Sequence, residues 1–248
     1  GDIARALGGF KKDGDFWVSD AMIVGSAVGH LLEIKAPEEY DVKRGRWSFA
    51  NLPVLPPHFD LQPIKKSIKK FEGLEKKIRS RSVTDIINAC DAGREGELIF
   101  RYIIQATGTK KPIRRLWLQS MTKASIQKAF TALRSDAEMK PLEAAARSRS
   151  EADWLVGING TRALTAFNSK DGGFFLTTVG RVQTPTLAIV VAREEEITHF
   201  KPQNYWEVHA TFGAQAGDYD SVWVDADFKK TKGQSAELKP ERLWTAAE

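Results

Sequence analysis

The chain has 248 residues, and its 37 Lys and Arg against 32 Asp and Glu give a formal net charge of +5. That length suits one large or two modest domains, and the mild basic excess says little about nucleic acid until its distribution is known. The single cysteine, Cys90, excludes an internal disulfide framework and a cysteine zinc cluster. With no apolar run of membrane-spanning length and no signal-like start, a cytoplasmic, reducing home is expected.

Taken in chain order, Asp2 to Leu7 reads as a helix stopped by Gly8-Gly9, and Met22 to Gly25 as a short buried strand. Residues 36 to 63 carry Pro53, Pro56 and Pro57 and read as an irregular loop. Ile64 to Ser80 follows as a basic amphipathic helix; its Lys65, Lys66, Lys69, Lys70, Lys76, Lys77 and Arg79, with Arg81 just beyond, form a solvated face, direct DNA contact being the alternative. Val83 to Cys90 has the pattern of a buried strand. A turn at Asp91-Ala92-Gly93 leads into a helix over 96–107, whose Leu98, Ile99, Tyr102, Ile103 and Ala106 recur at helical spacing. Arg114 to Leu118 is a further short strand, so this first part is α/β. Helices are expected over Ala124–Leu133, Pro141–Thr165 and Thr186–Glu196. After Lys201-Pro202 the pattern changes to period two, with Trp206, Val208, Ala210 and Phe212 on the buried side of a strand and Val222 and Val224 continuing the β pattern. No internal repeat or low-complexity tract interrupts the chain.

Chemistry concentrates in three places. Asp91, Glu95 and Glu97 gather where a strand ends and a helix begins, the position at which open α/β sheets bind ligands. Oxygen donors that close suit Mg²⁺, although a cap and two dipole-complementing acids would give the same spelling. Gly93 and Gly96 flank Arg94 and Glu95, which suggests close approach by backbone or anion. On the helix that follows, Arg149 and Asp153 are four apart and can pair, either as an ordinary surface bridge or as an arginine aimed at phosphate. In Gly180-Arg181-Val182-Gln183-Thr184-Pro185, Thr184 fits a cap and Pro185 a first helical residue. Arg181 and Gln183 then stand beside an exposed helix N-terminus, a ready phosphate site. Trp117 and Trp154 read as core aromatics, and Cys90 as core packing.

Four segments in order resemble the N-terminal part of the bacterial type IA DNA topoisomerases, on the topoisomerase III side. They are Val28-Gly29-His30-Leu31, Asp91 to Glu97, Glu151 to Gly157 with Asn159 and Thr161-Arg162-Ala163, and Gly180 to Pro185. The resemblance covers almost the whole chain. It implies an α/β toprim (Rossmann-like) domain over 1–120, a helical DNA-groove domain over 121–198 and the start of a β-rich arch over 199–248. It implies Mg²⁺-dependent, ATP-independent breakage, passage and rejoining of single-stranded DNA through a 5′-phosphotyrosine. Carried over, Asp91, Glu95 and Glu97 are the metal residues. Glu95, His30, Arg149 and Asp153 form the catalytic set, and Asn159, Arg162, Arg181 and Gln183 line the single-strand groove. The partner is DNA, the expected state a monomer, and the setting the nucleoid or plasmid DNA of a bacterial cytoplasm.

The chain departs from that pattern in three respects. Gly93 stands where many relatives carry a second aspartate. The family's first strand, with its glutamate, falls before Gly1. None of Tyr40, Tyr102, Tyr205 and Tyr219 has the nucleophile's context. The expectation is therefore a fragment that lacks the nucleophile and binds DNA without cleaving it. The alternatives are a non-catalytic module for single-stranded DNA and Mg²⁺, or another toprim protein.

Overall fold

The computed structural model describes residues 1–40, 47–229 and 238–245. They divide into two compact units, Gly1–Thr186 and Leu187–Glu248. Part of the expected 36–63 loop, residues 41–46, lies outside the described residues.

In the first unit, helix α1 (Asp2–Leu7) ends where Gly8 and Gly9 take positive φ, 76° and 77°. It packs against α4 (Lys123–Thr131), and Gln127 Nε2 donates to the Ala6 carbonyl. Strands β1 (Lys11–Asp13), β2 (Phe16–Val18) and β3 (Ile23–Val24) form an antiparallel meander. The first hairpin turns on Gly14 at φ 56°, the residue type a two-residue loop demands. Sequence reading finds β3 but not β1 or β2, whose Lys-Lys-Asp and Phe-Trp-Val are too short to show a period. Contrary to expectation β3 is not buried, since it has only β2 beside it. Strands β4 (Leu32–Ile34) and β5 (Leu61–Pro63) pair antiparallel, so the far end of the expected loop is a strand. The basic helix is confirmed as α2 (Ile68–Arg79), preceded by a 3-10 turn. It buries Phe71 and leaves its lysines toward water.

The central motif is βαβ. Strand β6 (Ile86–Asn88) leads into α3 (Arg94–Thr107), and α3 into β7 (Ile113–Arg115), which pairs parallel to β6 with Asn88 opposite Arg115. Strand β8 (Arg134–Ser135) adds antiparallel to β7. The apolar stripe anticipated on α3 is the core. Leu98, Tyr102 and Ile103 pack with Leu31, Leu32, Phe71 and Ala146, backed by Ile99 and Ala106. Strands of three residues are shorter than the expected 83–90 and 114–118, because only the paired residues build the ladder.

Helix α5 (Asp136–Asn168) runs 33 residues. It begins one turn and more before the expected Pro141, because Ser135 and Glu138 close a capping box. Each side chain satisfies the other's backbone N–H, at 2.7 and 3.4 Å. α5 packs along α3. Helix α6 (Gln183–Thr198) likewise starts earlier than expected. Thr184 and Pro185 therefore lie inside its first turn, and the Thr184 hydroxyl accepts from the Gly180 N–H rather than capping the helix.

In the second unit β9 (His209–Ala214) and β10 (Gly217–Val222) form an antiparallel hairpin, with Phe212 stacked on Tyr219. The expected half-buried face is largely exposed. Trp206 bridges to Leu243 across the backbone. Among the described residues no helix is long and apolar enough to cross a membrane.

Candidate functional site

The acidic turn is built from β6 outward. Asn88, buried at the strand end, accepts from the Cys90 N–H on its Oδ1 and donates through Nδ2 to Glu97 Oε2 at 3.0 Å. Glu97 is fully buried. Arg101 Nε donates to its Oε1 at 2.7 Å, and Arg115 Nε lies 3.3 Å from its Oε2. Arg101 reaches on to Asp136 at 2.7 Å and Glu143 at 3.2 Å, tying α3 to α5. Arg115 turns its two terminal nitrogens onto the chain end itself. Nη1 is within 3.0 Å of the carbonyls of Asn88, Cys90 and Leu116, and Nη2 is 2.6 Å from that of Asp91.

This arrangement corrects the expected three-carboxylate cluster. Glu97 is not available to a metal, since both its oxygens are held by buried cations and an amide. Among the described residues no group of three or more His, Cys, Asp or Glu is placed to hold a metal ion. Asp91 and Glu95 remain exposed at the turn. His30 joins them from the Gly29-His30 turn, with Nε2 3.4 Å from Glu95 Oε2. Gly29 holds a φ of 73°. The two glycines also separate. A Cβ at Gly96 would come within 2.1 Å of the Asp91 carbonyl, whereas Gly93 has open space and an extended φ of 170°. Backbone crowding explains Gly96. Cys90 is partly buried beside this turn, and burial pushes its thiol up.

A second cluster lies on α5. Asp153 is shared by two arginines. Arg181 Nη1 donates to Oδ1 at 2.9 Å, and Arg149 Nε lies 3.8 Å from Oδ2, all three about two-fifths exposed. Arg181 arrives on a strap, residues 177–180, laid along α5. The Val179 and Thr177 N–H groups donate to the Thr161 and Thr165 hydroxyls at 3.0 Å each. Gly160 gives the strap room, for a Cβ there would meet Val179 Cγ1 at 2.9 Å. Thr161 and Thr165, four apart on one helix face, are the signal that sequence reasoning passed over. Gln183 donates to Thr178 Oγ1 at 2.7 Å and stays exposed beside this strap.

Two expected groove residues point elsewhere. Asn159 clamps Val54, accepting from its N–H at 2.6 Å and donating to its carbonyl at 3.0 Å. Arg162 is buried, paired with Glu38 and set over Trp47 at 5.2 Å. Both hold the 3-10-rich loop onto α5, with their polar groups engaged within the chain. Trp154 is a packed aromatic, donating to the Lys35 carbonyl at 3.1 Å with Tyr40 and Phe59 edge-on. The Arg115 and Arg134 guanidinium groups stand 5.2 and 4.5 Å from the centre of the Trp117 ring.

The two clusters lie along one packed pair of helices. Tyr102 on α3 donates to Ser150 on α5 at 2.9 Å, and Arg147 donates to Gln105 at 2.8 Å. Burial pushes the Tyr102 hydroxyl up, and the nearby charges of Glu151 and Glu95 add to it. The 150–153 turn of α5 therefore packs against the helix that carries Glu95.

Comparison with known proteins is consistent along the chain. The family profile described as DNA topoisomerase matches residues 137–245. DNA topoisomerase 3 of Bacillus thuringiensis (strain Al Hakam) is 40% identical over 98% of this chain, which covers 31% of that protein. DNA topoisomerase 3 of Staphylococcus aureus (strain USA300) is 43% identical over 85% of the chain, covering 29%. Among solved structures, full-length topoisomerase I from Thermotoga maritima superposes with a TM-score of 0.55 over 92% of this chain and 33% of that one. At 22% identity, this is a likeness of fold. The chain thus spans about a third of the length of the curated relatives it matches. A profile match over residues 137–245 and 40% identity extending over 98% of the chain lead to one conclusion: this chain is a homologue of part of the DNA topoisomerases, with topoisomerase 3 proteins among its relatives.

Proposed function

We propose that this chain is the metal- and strand-holding part of a type IA DNA topoisomerase, acting on single-stranded DNA as a monomer in a bacterial cytoplasm. The observation that carries this reading is the pair of exposed clusters on α3 and α5. One is acidic with a histidine; the other presents two arginines around one carboxylate. Cations that share a partly exposed carboxylate can exchange it for phosphate at little cost, because such surface pairs contribute only about 0–1 kcal/mol.

Asp91 and Glu95 fit Mg²⁺, which takes one or two carboxylates and fills its shell with water and phosphate oxygens. They would be its ligands; Glu97 would not. A bound Mg²⁺ would offset phosphate charge at the cleavage centre. The chain's own groups do the rest. His30 Nε2 meets Glu95 Oε2 and fixes that carboxylate's direction. Arg149 and Arg181 bind the backbone of the strand. Asp153 orients both guanidinium groups.

Cleavage requires a tyrosine oxygen to attack phosphorus while a deoxyribose 3′-oxygen leaves. No tyrosine described here suits that role. Tyr102 is 4% exposed with a raised pKa, and the Tyr40 hydroxyl accepts from the Asp60 N–H. Tyr205 lies under Arg242, and Tyr219 is stacked on Phe212. The 248-residue chain is therefore proposed to bind single-stranded DNA without forming a covalent adduct. Incubation with labelled single strands and Mg²⁺, followed by a denaturing gel, tests this. A DNA-linked species that disappears when one of the four tyrosines is replaced by Phe would overturn it.

A further inference from the structure

Arg115 has no part in the reading so far. It sits on β7, 1% exposed, in a stretch legible from sequence only as a short strand. Its neighbour Glu97 does not need it for charge, because Arg101 already binds that carboxylate at 2.7 Å. What distinguishes Arg115 is where its terminal nitrogens go. They fall on the carbonyls of Asn88, Cys90 and Asp91, the successive exits of β6 into the acidic turn, and on that of Leu116. A planar fork can meet several acceptors at once, whereas an ammonium, a compact point charge, cannot reproduce that spread.

An independent constraint acts on the same peptide. A Cβ at Gly96 would stand 2.1 Å from the Asp91 carbonyl oxygen and 2.8 Å from its nitrogen. The Asp91 peptide is thus wedged between the Arg115 guanidinium and the first turn of α3, while its side chain stays exposed. Two buried devices converge on the backbone of one exposed carboxylate.

We infer that Arg115 is a positioning residue for the acidic turn: anchored by Glu97, it fixes the Asp91 backbone and thereby sets where the Asp91 carboxylate can meet a divalent cation. The inference rests on the metal reading proposed above. Groups that orient a metal ligand typically change affinity about 10–100-fold when lost.

The test uses the 248-residue chain, with Mn²⁺ alone as the probe and electron paramagnetic resonance to count bound ion. Asp91→Asn is the reference lacking the carboxylate. Arg115→Lys keeps the charge and loses the fork. Gly96→Ala keeps every charge and pushes the Asp91 peptide from the other side. Both are expected to bind Mn²⁺ at least tenfold more weakly than the parent. Both variants are measured below their own melting temperatures, which are expected to fall because both sites are buried; single-strand DNA binding in EDTA, which a change in Asp91 aim does not touch, should stay as in the parent. Parent-like Mn²⁺ affinity in both variants overturns the inference while leaving the metal reading intact. If the parent shows no Asp91-dependent binding, the metal reading itself fails. Loss of fold in both variants assigns Arg115 and Gly96 to the core alone and also overturns it.

Discussion

Two clusters in this molecule are built from the same pieces, arginines around a carboxylate, and differ in water. Arg101 and Arg115 meet Glu97 in the interior, where the acid is fully buried and both guanidinium groups are at most 5% exposed. Arg149 and Arg181 meet Asp153 at about 40% exposure. In the interior, removing one partner strands an uncompensated charge; at the surface, water or a phosphate oxygen takes its place. The difference separates a carboxylate that holds the chain together from one that can be traded for a ligand, although sequence lists them alike.

The comparison breaks most directly at Glu97. Replacing it by Gln keeps volume and one hydrogen-bond pattern but leaves Arg101 and Arg115 short of charge, so about 3–5 kcal/mol of stability should be lost. Urea unfolding checks this, with the slope unchanged and the midpoint lowered. A loss below about 1 kcal/mol would mean that Asp136 and Glu143 neutralise Arg101 without Glu97.

Arg162 sharpens the same contrast, for it was expected in the DNA groove and lies in the interior. Its partner Glu38 keeps 46% of its side chain in water and can rehydrate, so Arg162→Met should cost only about 1–2 kcal/mol. DNA affinity should remain close to that of the parent at a temperature where the variant is folded. A large drop in affinity with unchanged stability would return Arg162 to the groove.

What was legible in the sequence follows from this. The stripe of α3 could be read because five apolar residues repeat over three turns, and it is the core. The basic helix could be read for the same reason of period, whereas at the β-rich end the alternation pointed to a strand but not to a buried face, for β9 and β10 are largely exposed. The short strands could not be read, since two or three residues carry no period, and the start of α5 differs from the expectation because Pro141 masks a capping box that opens six residues earlier at Ser135. At the site, spacing correctly brought Arg149 and Asp153 together and located the acidic turn. It could not tell that Glu97, one helical step past Gly96, points inward, because the residue pair facing it, Asn88 and Arg115, comes from two different strands. Asn159 and Arg162 were misread likewise: their partners Val54, Glu38 and Trp47 lie more than a hundred residues upstream.

Acid should act through the interior cluster's rim. Burial works against ionising Asp136, but hydrogen bonding and charge from Arg101, with Lys140, outweigh it and hold its carboxyl below the ordinary value. A depressed folded-state pKa gives stability that is present above the unfolded value and is lost as pH falls through the folded one. The Asp136→Asn variant should therefore be less stable than the parent near neutrality, with the gap closing below about pH 4. The effect is smaller than at Glu97, because Asp136 keeps 32% of its side chain exposed. A gap that persists unchanged in acid would show that Asp136 contributes through shape alone.

The smallest effect on the fold, and the one that bears most on function, is expected at Arg181. Its bond to Asp153 is well formed at 2.9 Å, yet both partners are two-fifths exposed, so Arg181→Ala should change stability by less than about 1 kcal/mol. The strap that carries it is held by the Thr161 and Thr165 hydroxyls and by Val179 over Gly160, none of which involves the guanidinium. Single-strand DNA binding should respond out of proportion. Each phosphate contact releases a condensed counterion, so losing one should weaken binding across sequences and make the dependence of log affinity on log salt shallower by about one unit. Measuring both quantities on one variant decides between the two uses of an arginine. An unchanged salt slope with a lowered melting point would make Arg181 a structural strap like Arg162. A shallower slope with an unchanged melting point makes Asp153 the place where this chain keeps its phosphate-binding arginines until a strand arrives.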